Sequence, residues 1–225
     1  MWLLNSSIGR KVVMSVTGIA LILFLTFHAS MNLVALFSEG DYNKICKFLG
    51  AHWYAVVATV GLAGLMALHF VFAFILTAQN RKARGASAYE VTEKPSKVEW
   101  ASQNMLAIGV IVLLGLILHL KDFWANMMLA ELAGFQGKYA PTQGYEYMQL
   151  VFGNPVFVVL YVIWLVAIWF HLTHGFWSAF QTLGVSGKTW FCRWKVIGYA
   201  YSTLLMLAFL VVVLKFFVCS LCSCC

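Results

Sequence analysis

Charge is what this chain has least of. Only 10% of its 225 residues are Asp, Glu, Lys or Arg, against about 25% in an ordinary soluble domain. With 62% hydrophobic residues, most of the chain cannot be solvated, which excludes a soluble globular enzyme. The eight carboxylates (Glu39, Asp41, Glu90, Glu93, Glu99, Asp122, Glu131 and Glu146) fall in or beside the polar connections, none deep in an apolar run. Neither an inverted repeat nor a pair of broken helices is visible, so a proton-relay transporter is disfavoured. The six cysteines lack zinc-site spacing. Cys46 and Cys192 stand in connections, and Cys219, Cys222, Cys224 and Cys225 crowd a tail that has no C-a-a-X ending. The N-terminus opens like a secretory signal but lacks an early small-x-small cleavage site, so a retained first helix is expected.

What the chain has instead is five apolar segments, about 12–36, 54–76, 101–120, 155–180 and 196–218. Each is long enough to cross a bilayer as a helix. The expectation is one domain over 1–225, an all-α integral membrane protein with five transmembrane helices. Pro155 after Asn154 is a helix-start signal. Residues 77–100 are polar and read as a loop holding Pro95. Residues 121–154 carry turn chemistry in GKYAPTQGY and a short surface helix near MMLAELAGF. Lys and Arg are divided unequally between the two ends. Arg10, Lys11, Arg81, Lys82, Arg84, Lys94, Lys97, Lys188, Arg193 and Lys195 share one side; Lys44, Lys47, Lys121, Lys138 and Lys215 share the other. That bias places the N-terminus in the cytoplasm. The net charge of +7 is thus a topology signal, and dispersal of the cations over loops gives no reason to invoke nucleic acid.

Four of the segments each carry a histidine in apolar surroundings: His28, His69, His119 and His171. An ionisable side chain at bilayer depth is costly and is expected to face a protein interior and act there. Counted from the segment ends, His28 and His119 fall in the outer half and His69 and His171 in the inner half, about 10–15 Å apart in depth. Two pairs at two depths suit two stacked haems, with His28 and His119 as axial ligands of an outer one and His69 and His171 of an inner one. Histidine on both faces of the iron leaves no site for oxygen and favours electron transfer. His174, three residues from His171, lies near the same face, and periodicity alone does not choose between them. Gly18, Gly61, Gly64, Gly109, Gly115 and Gly175 are available to face a flat group. Arg10, Lys11 and Ser15 are candidate propionate partners for the inner haem, and Lys121 for the outer. His52, beside Trp53 and Tyr54, reads as interfacial.

With five helices, these four histidines and the fourth-segment sequence HLTHGFWSAFQTLG, the chain resembles the single-subunit, di-haem cytochrome b anchors of succinate dehydrogenases and fumarate reductases. The resemblance spans all five helices. It implies a four-helix haem-binding bundle plus a fifth helix, two haem b groups, and His171 rather than His174 as the fourth ligand. It further implies a bacterial cytoplasmic membrane, docking of an iron–sulfur subunit that carries a flavoprotein subunit, and exchange of electrons with a quinone such as menaquinone. The dicarboxylate site would lie on the flavoprotein. Two positions depart from the family. FLGAHWY offers His52 where some members carry a carboxylate, and Trp169 stands where some carry a glutamate. Quinone-site candidates near the outer haem are therefore His52, Lys121, Asp122 and Trp124, because quinol oxidation needs a proton acceptor. Rival expectations are the cytochrome b subunit of a formate dehydrogenase or hydrogenase, a transmembrane ferric or ascorbate-type reductase, and a bare structural anchor.

Overall fold

Ser6 starts the first helix. Its hydroxyl oxygen accepts from the Gly9 backbone N–H at 2.9 Å, capping one of the donors a helix N-terminus leaves open. Helix α1 (Ser7–Leu33) therefore begins a turn before the apolar run and passes into a short 3-10 turn, Val34–Leu36. The computed structural model describes residues 6–84 and 99–222. The expected loop around Pro95, with Glu90, Glu93, Lys94 and Lys97, and the tail cysteines Cys224 and Cys225, lie outside the described residues.

The remaining helices are α2 (Glu39–Phe48), α3 (Trp53–Arg84), α4 (Trp100–Gln103), α5 (Met105–His119), α6 (Ala130–Ala133), α7 (Gly144–Phe152), α8 (Pro155–Thr182) and α9 (Lys188–Cys222). Among the described residues there is no strand. Five helices, spanning Ser7–Leu36, Trp53–Lys82, Met105–Ala133, Pro155–Thr182 and Lys188–Cys222, are long and apolar enough to cross a membrane. Their outward faces are apolar, as a lipid-facing surface requires: Leu23, Val60 and Leu204 are each about two-thirds exposed or more, at 67%, 67% and 70%.

Several boundaries differ from the sequence reading, and α9 begins at Lys188 where the fifth segment was expected from about 196. Residues 77–84, expected in a loop, continue α3, because Ala, Gln, Lys and Arg are good helix formers that extend a helix into water. The segment MMLAELAG is not a separate surface helix. The backbone runs on from His119 through a π-type stretch, Leu120–Leu129, into α6, and stops at Gly134 with φ 70°. Inside the widened turns the Asn126 amide donates to the Lys121 and Asp122 carbonyls at 2.9 and 3.0 Å. Long π-type stretches are rare in proteins. The short helices of the connections are instead α2 and α7, which cap the far end of the bundle. Asn43 ties them together, donating to Glu146 at 2.9 Å and accepting from the Tyr145 N–H at 2.9 Å.

The packing order decides where the histidines meet. Helix α1 packs against α3 and α8, α5 packs against α8, and α9 lies along α8 and touches α1 and α7. Helix α3 packs almost wholly on α1. Around the axis of the first four long helices, α1 and α5 are therefore opposite each other, as are α3 and α8. The apolar core is densest at the far end, where Tyr145, Phe152, Tyr161 and Phe216 converge. Lys215 of α9 is fixed there, donating to the Ala35 carbonyl at 2.6 Å and the Tyr145 hydroxyl at 3.0 Å.

Candidate functional site: two histidine pairs on the bundle axis

The helices that do not pack on each other are bridged by histidine rings. His28 of α1 faces His119 of α5 with ring centroids 5.8 Å apart and planes at 85°. His69 of α3 faces His171 of α8 at 6.2 Å and 64°. The pairs occupy two levels. Thr17, which touches His69, precedes His28 by eleven residues on α1, a rise of about 16 Å along that helix.

No hydrogen bond joins the rings within either pair among the described residues. The Nδ1 atoms of His119 and His171 are buried without a partner. Buried polar atoms are nearly always satisfied, so these two rings carry bonding capacity that no protein group among the described residues uses. The spacing suits a metal. A bound imidazole nitrogen sits about 2.0–2.1 Å from its ion, so two rings trans across one metal have centroids roughly 6.2–6.4 Å apart. Both pairs are within about half an ångström of that range. Among the described residues no group of three or more His, Cys, Asp or Glu forms a protein-only metal cluster. The donor set is two imidazoles per level, which fits an ion whose remaining ligands come from a macrocycle.

Neighbours hold each ring. The Thr17 hydroxyl lies 3.1 Å from His69 Nδ1, and a Cβ on Gly18 would stand 3.5 Å from His69 Cε1. Phe24 stacks on His28 at 5.5 Å. Trp164 lies over His119 at 5.5 Å and 33°, with its indole N–H donating to the Val112 carbonyl at 2.9 Å. Trp164 fills the space beside Gly115, so that glycine seats an indole and not a flat ligand. Beside Gly61, Gly64, Gly109 and Gly175 a Cβ would meet nothing within 4 Å.

The two fourth-helix histidines have different surroundings. His171 faces His69. His174 Nδ1 lies 3.6 Å from Glu99, whose other oxygen accepts from Lys195 at 2.7 Å, and Lys195 in turn sits 4.7 Å over the Trp177 ring. Neither Glu99 nor Lys195 stood out in the sequence as a partner of His174. Of the expected propionate partners, Ser15 donates its hydroxyl to the Lys11 carbonyl at 3.0 Å, Lys11 is exposed, Arg10 is half-buried, and Lys121 donates to Asp122 at 3.0 Å.

The four quinone-site candidates do not form one group. Lys121 and Asp122 are paired. Trp124 lies on the same π-type stretch with its indole nitrogen buried and unpartnered. His52 is exposed and stacks on Tyr54 at 5.5 Å. It makes no hydrogen bond to the other three among the described residues. Asp122 also corrects the sequence reading that kept every carboxylate out of the spans. It lies inside the third long helix, 5% exposed, and is tolerated there because both oxygens are used, one by Lys121 and one by the Tyr161 hydroxyl at 3.2 Å. Tyr161 was missed. Its signal was a phenol in mid-helix, which needs a partner when buried.

No protein-family model matches this chain, and neither does any curated protein or any solved structure.

Proposed function

We propose that the chain is the membrane anchor and electron-carrying subunit of a succinate dehydrogenase or fumarate reductase complex, holding two b-type haems. The observation that carries this reading is the pair of histidine couples, each bridging two otherwise unpacked helices at metal-ligand spacing. When bound, a haem with two imidazole ligands supplies one-electron chemistry without an open coordination site. The chain's own residues do the rest. His28 and His119 hold one level, and His69 and His171 the other. Phe24, Phe209 and Trp164 surround the His28–His119 level with apolar surface and keep water from it.

The choice among membrane cytochromes rests on the sequence pattern of the fourth helix. On the positive-inside rule the N-terminus lies in the cytoplasm. An iron–sulfur subunit, with its flavoprotein partner, then docks at the end that carries Arg81, Lys82, Lys188 and Arg193, in a bacterial cytoplasmic membrane. Quinone, menaquinone in the family the chain resembles, exchanges electrons with the wire so formed. The experiment is a reduced-minus-oxidised visible spectrum of the gently purified protein, with haem quantified per chain and co-purifying subunits identified. Two b-type haems per chain, reduced in number by replacing His28, His69, His119 or His171 singly, are expected. Well-folded protein without haem overturns the cytochrome reading. Formate dehydrogenase or hydrogenase subunits in place of the succinate-type partners overturn the choice of complex.

A further inference from the structure

The hydroxyl of Thr17 has one proton and three neighbours. The Val13 and Met14 carbonyls lie 2.9 and 3.1 Å from Oγ1, and His69 Nδ1 lies 3.1 Å away. Two oxygens held at 2.9 Å need a proton between them, and a backbone carbonyl has none to offer. The threonine proton therefore goes back to its own helix, as threonines in apolar helices commonly arrange it. Oγ1 is left with lone pairs only, and the contact with His69 is satisfied one way: His69 Nδ1 carries the proton and donates it to Thr17. In a neutral imidazole the other nitrogen, Nε2, is then the bare one.

This contact has no counterpart on two of the other three rings. His119 and His171 have buried Nδ1 atoms without partners. The His69 ring lies close against α1 at the next residue too, where a Cβ on Gly18 would stand in ordinary van der Waals contact with Cε1 at 3.5 Å. Thr17 is 4% exposed, so water does not compete for its oxygen.

We infer that Thr17 is a positioning residue for the His69–His171 level. Its oxygen fixes the His69 tautomer with Nε2 free to ligate, and by accepting the Nδ1 proton it makes that imidazole a stronger donor. Resting on the cytochrome reading above, this assigns to Thr17 control of one of the two redox steps. A hydrogen bond that enriches an axial imidazole favours the oxidised iron, so its loss raises the midpoint potential.

The test is a spectroscopic redox titration of the purified, haem-loaded protein with Thr17→Val, which keeps the shape and removes the acceptor, and Thr17→Ser, which restores it. Thr17→Val is expected to shift one redox step upward by about tenfold in its equilibrium constant, about 59 mV for one electron, and to leave the other step in place. Thr17→Ser is expected to titrate like the parent. A Thr17→Val protein that loads one haem while Thr17→Ser loads two supports the same assignment. Two unshifted steps in fully loaded Thr17→Val overturn it, as does a shift that Thr17→Ser fails to reverse. A parent protein without haem overturns the functional reading itself. The tautomer can still be read there: nitrogen NMR of histidine-labelled protein is expected to find the His69 proton on Nδ1, and a proton on Nε2 overturns the hydrogen-bond assignment independently.

Discussion

Adding one methyl group at Gly115 should cost stability where the same change in an open part of the helix surface gains it. Replacing a helix-interior glycine by alanine normally stabilises by up to about 1 kcal/mol. At Gly61 of α3, where a Cβ meets nothing within 4 Å, that gain should be seen. At Gly115 the new methyl would overlap the five-membered ring of Trp164. The indole cannot simply move aside, because its N–H is bonded to the Val112 carbonyl at 2.9 Å, His119 lies under it and Tyr161 meets it edge-on at 5.7 Å. Overpacking of this kind costs about 1–3 kcal/mol, and a strained hydrogen bond adds up to about 1. After subtracting the helix-propensity gain, Gly115→Ala should lose about 1–3 kcal/mol. Trp164→Leu on its own should also destabilise, through lost area and the lost hydrogen bond. In the double variant the leucine leaves room for the methyl, so the two costs should fall short of additivity by more than about 1 kcal/mol. The assay is reversible unfolding in mild detergent of the parent, both single variants and the double variant. Additivity within about 0.5 kcal/mol, or a Gly115→Ala protein as stable as Gly61→Ala, would refute the packing argument.

Asp122 should tolerate an amide and not a hydrocarbon. Asn keeps an acceptor for the Tyr161 hydroxyl and loses only the pairing with Lys121, whose side chain is 68% exposed, so Asp122→Asn should cost about 1 kcal/mol or less. Asp122→Leu leaves the buried phenol unpartnered and should cost about 2–4 kcal/mol; thermal unfolding in detergent that ranks the two the other way rejects the reading. Cys46, on α2 outside the membrane spans, has its thiol pushed up to about 11 by burial. The folded protein therefore prefers the protonated thiol. The resulting stabilisation is complete below the free-thiol value of about 8.5–9 and is lost as pH rises towards 11. The unfolding midpoint should fall over that window in the parent and hold steadier in Cys46→Ala, while at pH 8 a maleimide should label exposed Cys192 and spare Cys46.

The long helices and the histidine levels were legible because both follow from fixed geometry. An apolar run long enough to cross a bilayer has one solution, and a rise of about 1.5 Å per residue converts a position in that run into a depth. That is why counting from segment ends puts His28 and His119 in the outer half and His69 and His171 in the inner half, and the fold brings the rings of each pair together. What was not legible depends on tertiary contacts without a periodic signature. The π-type stretch after His119 looks in sequence like the end of a span, since Lys121 and Asp122 interrupt the apolar run. It stays helical, and Asp122 is tolerated inside it because Lys121 beside it takes one oxygen and Tyr161, 39 residues on, takes the other. Helices α2 and α7 were read as connection because each is short; α7 packs Tyr145, Met148, Val151 and Phe152 into the core beside Tyr42 of α2, and Asn43 ties the two together. His174 was separable from His171 only once Glu99 and Lys195 stood beside it.

The two histidine levels are not mechanically equivalent. Helices α1 and α5, joined by His28 and His119, are each also packed against α8, so their relative position is held without that pair. Helix α3 leans almost wholly on α1, and its described approach to α8 is the facing of His69 and His171. Whatever bonds both of those rings ties an otherwise lightly held helix to the centre of the bundle, and by linkage it stabilises the folded state by that amount. Thr17 and Gly18 matter at this level because they touch the His69 ring from α1, the helix on which α3 mainly packs. Loss of the His171 imidazole should therefore loosen α3, seen as faster amide exchange along Trp53–Arg84. Loss of the His119 imidazole should leave exchange in α1 close to that of the parent. Equal effects on the two helices would mean that α3 is held by more than α1 and one pair of rings.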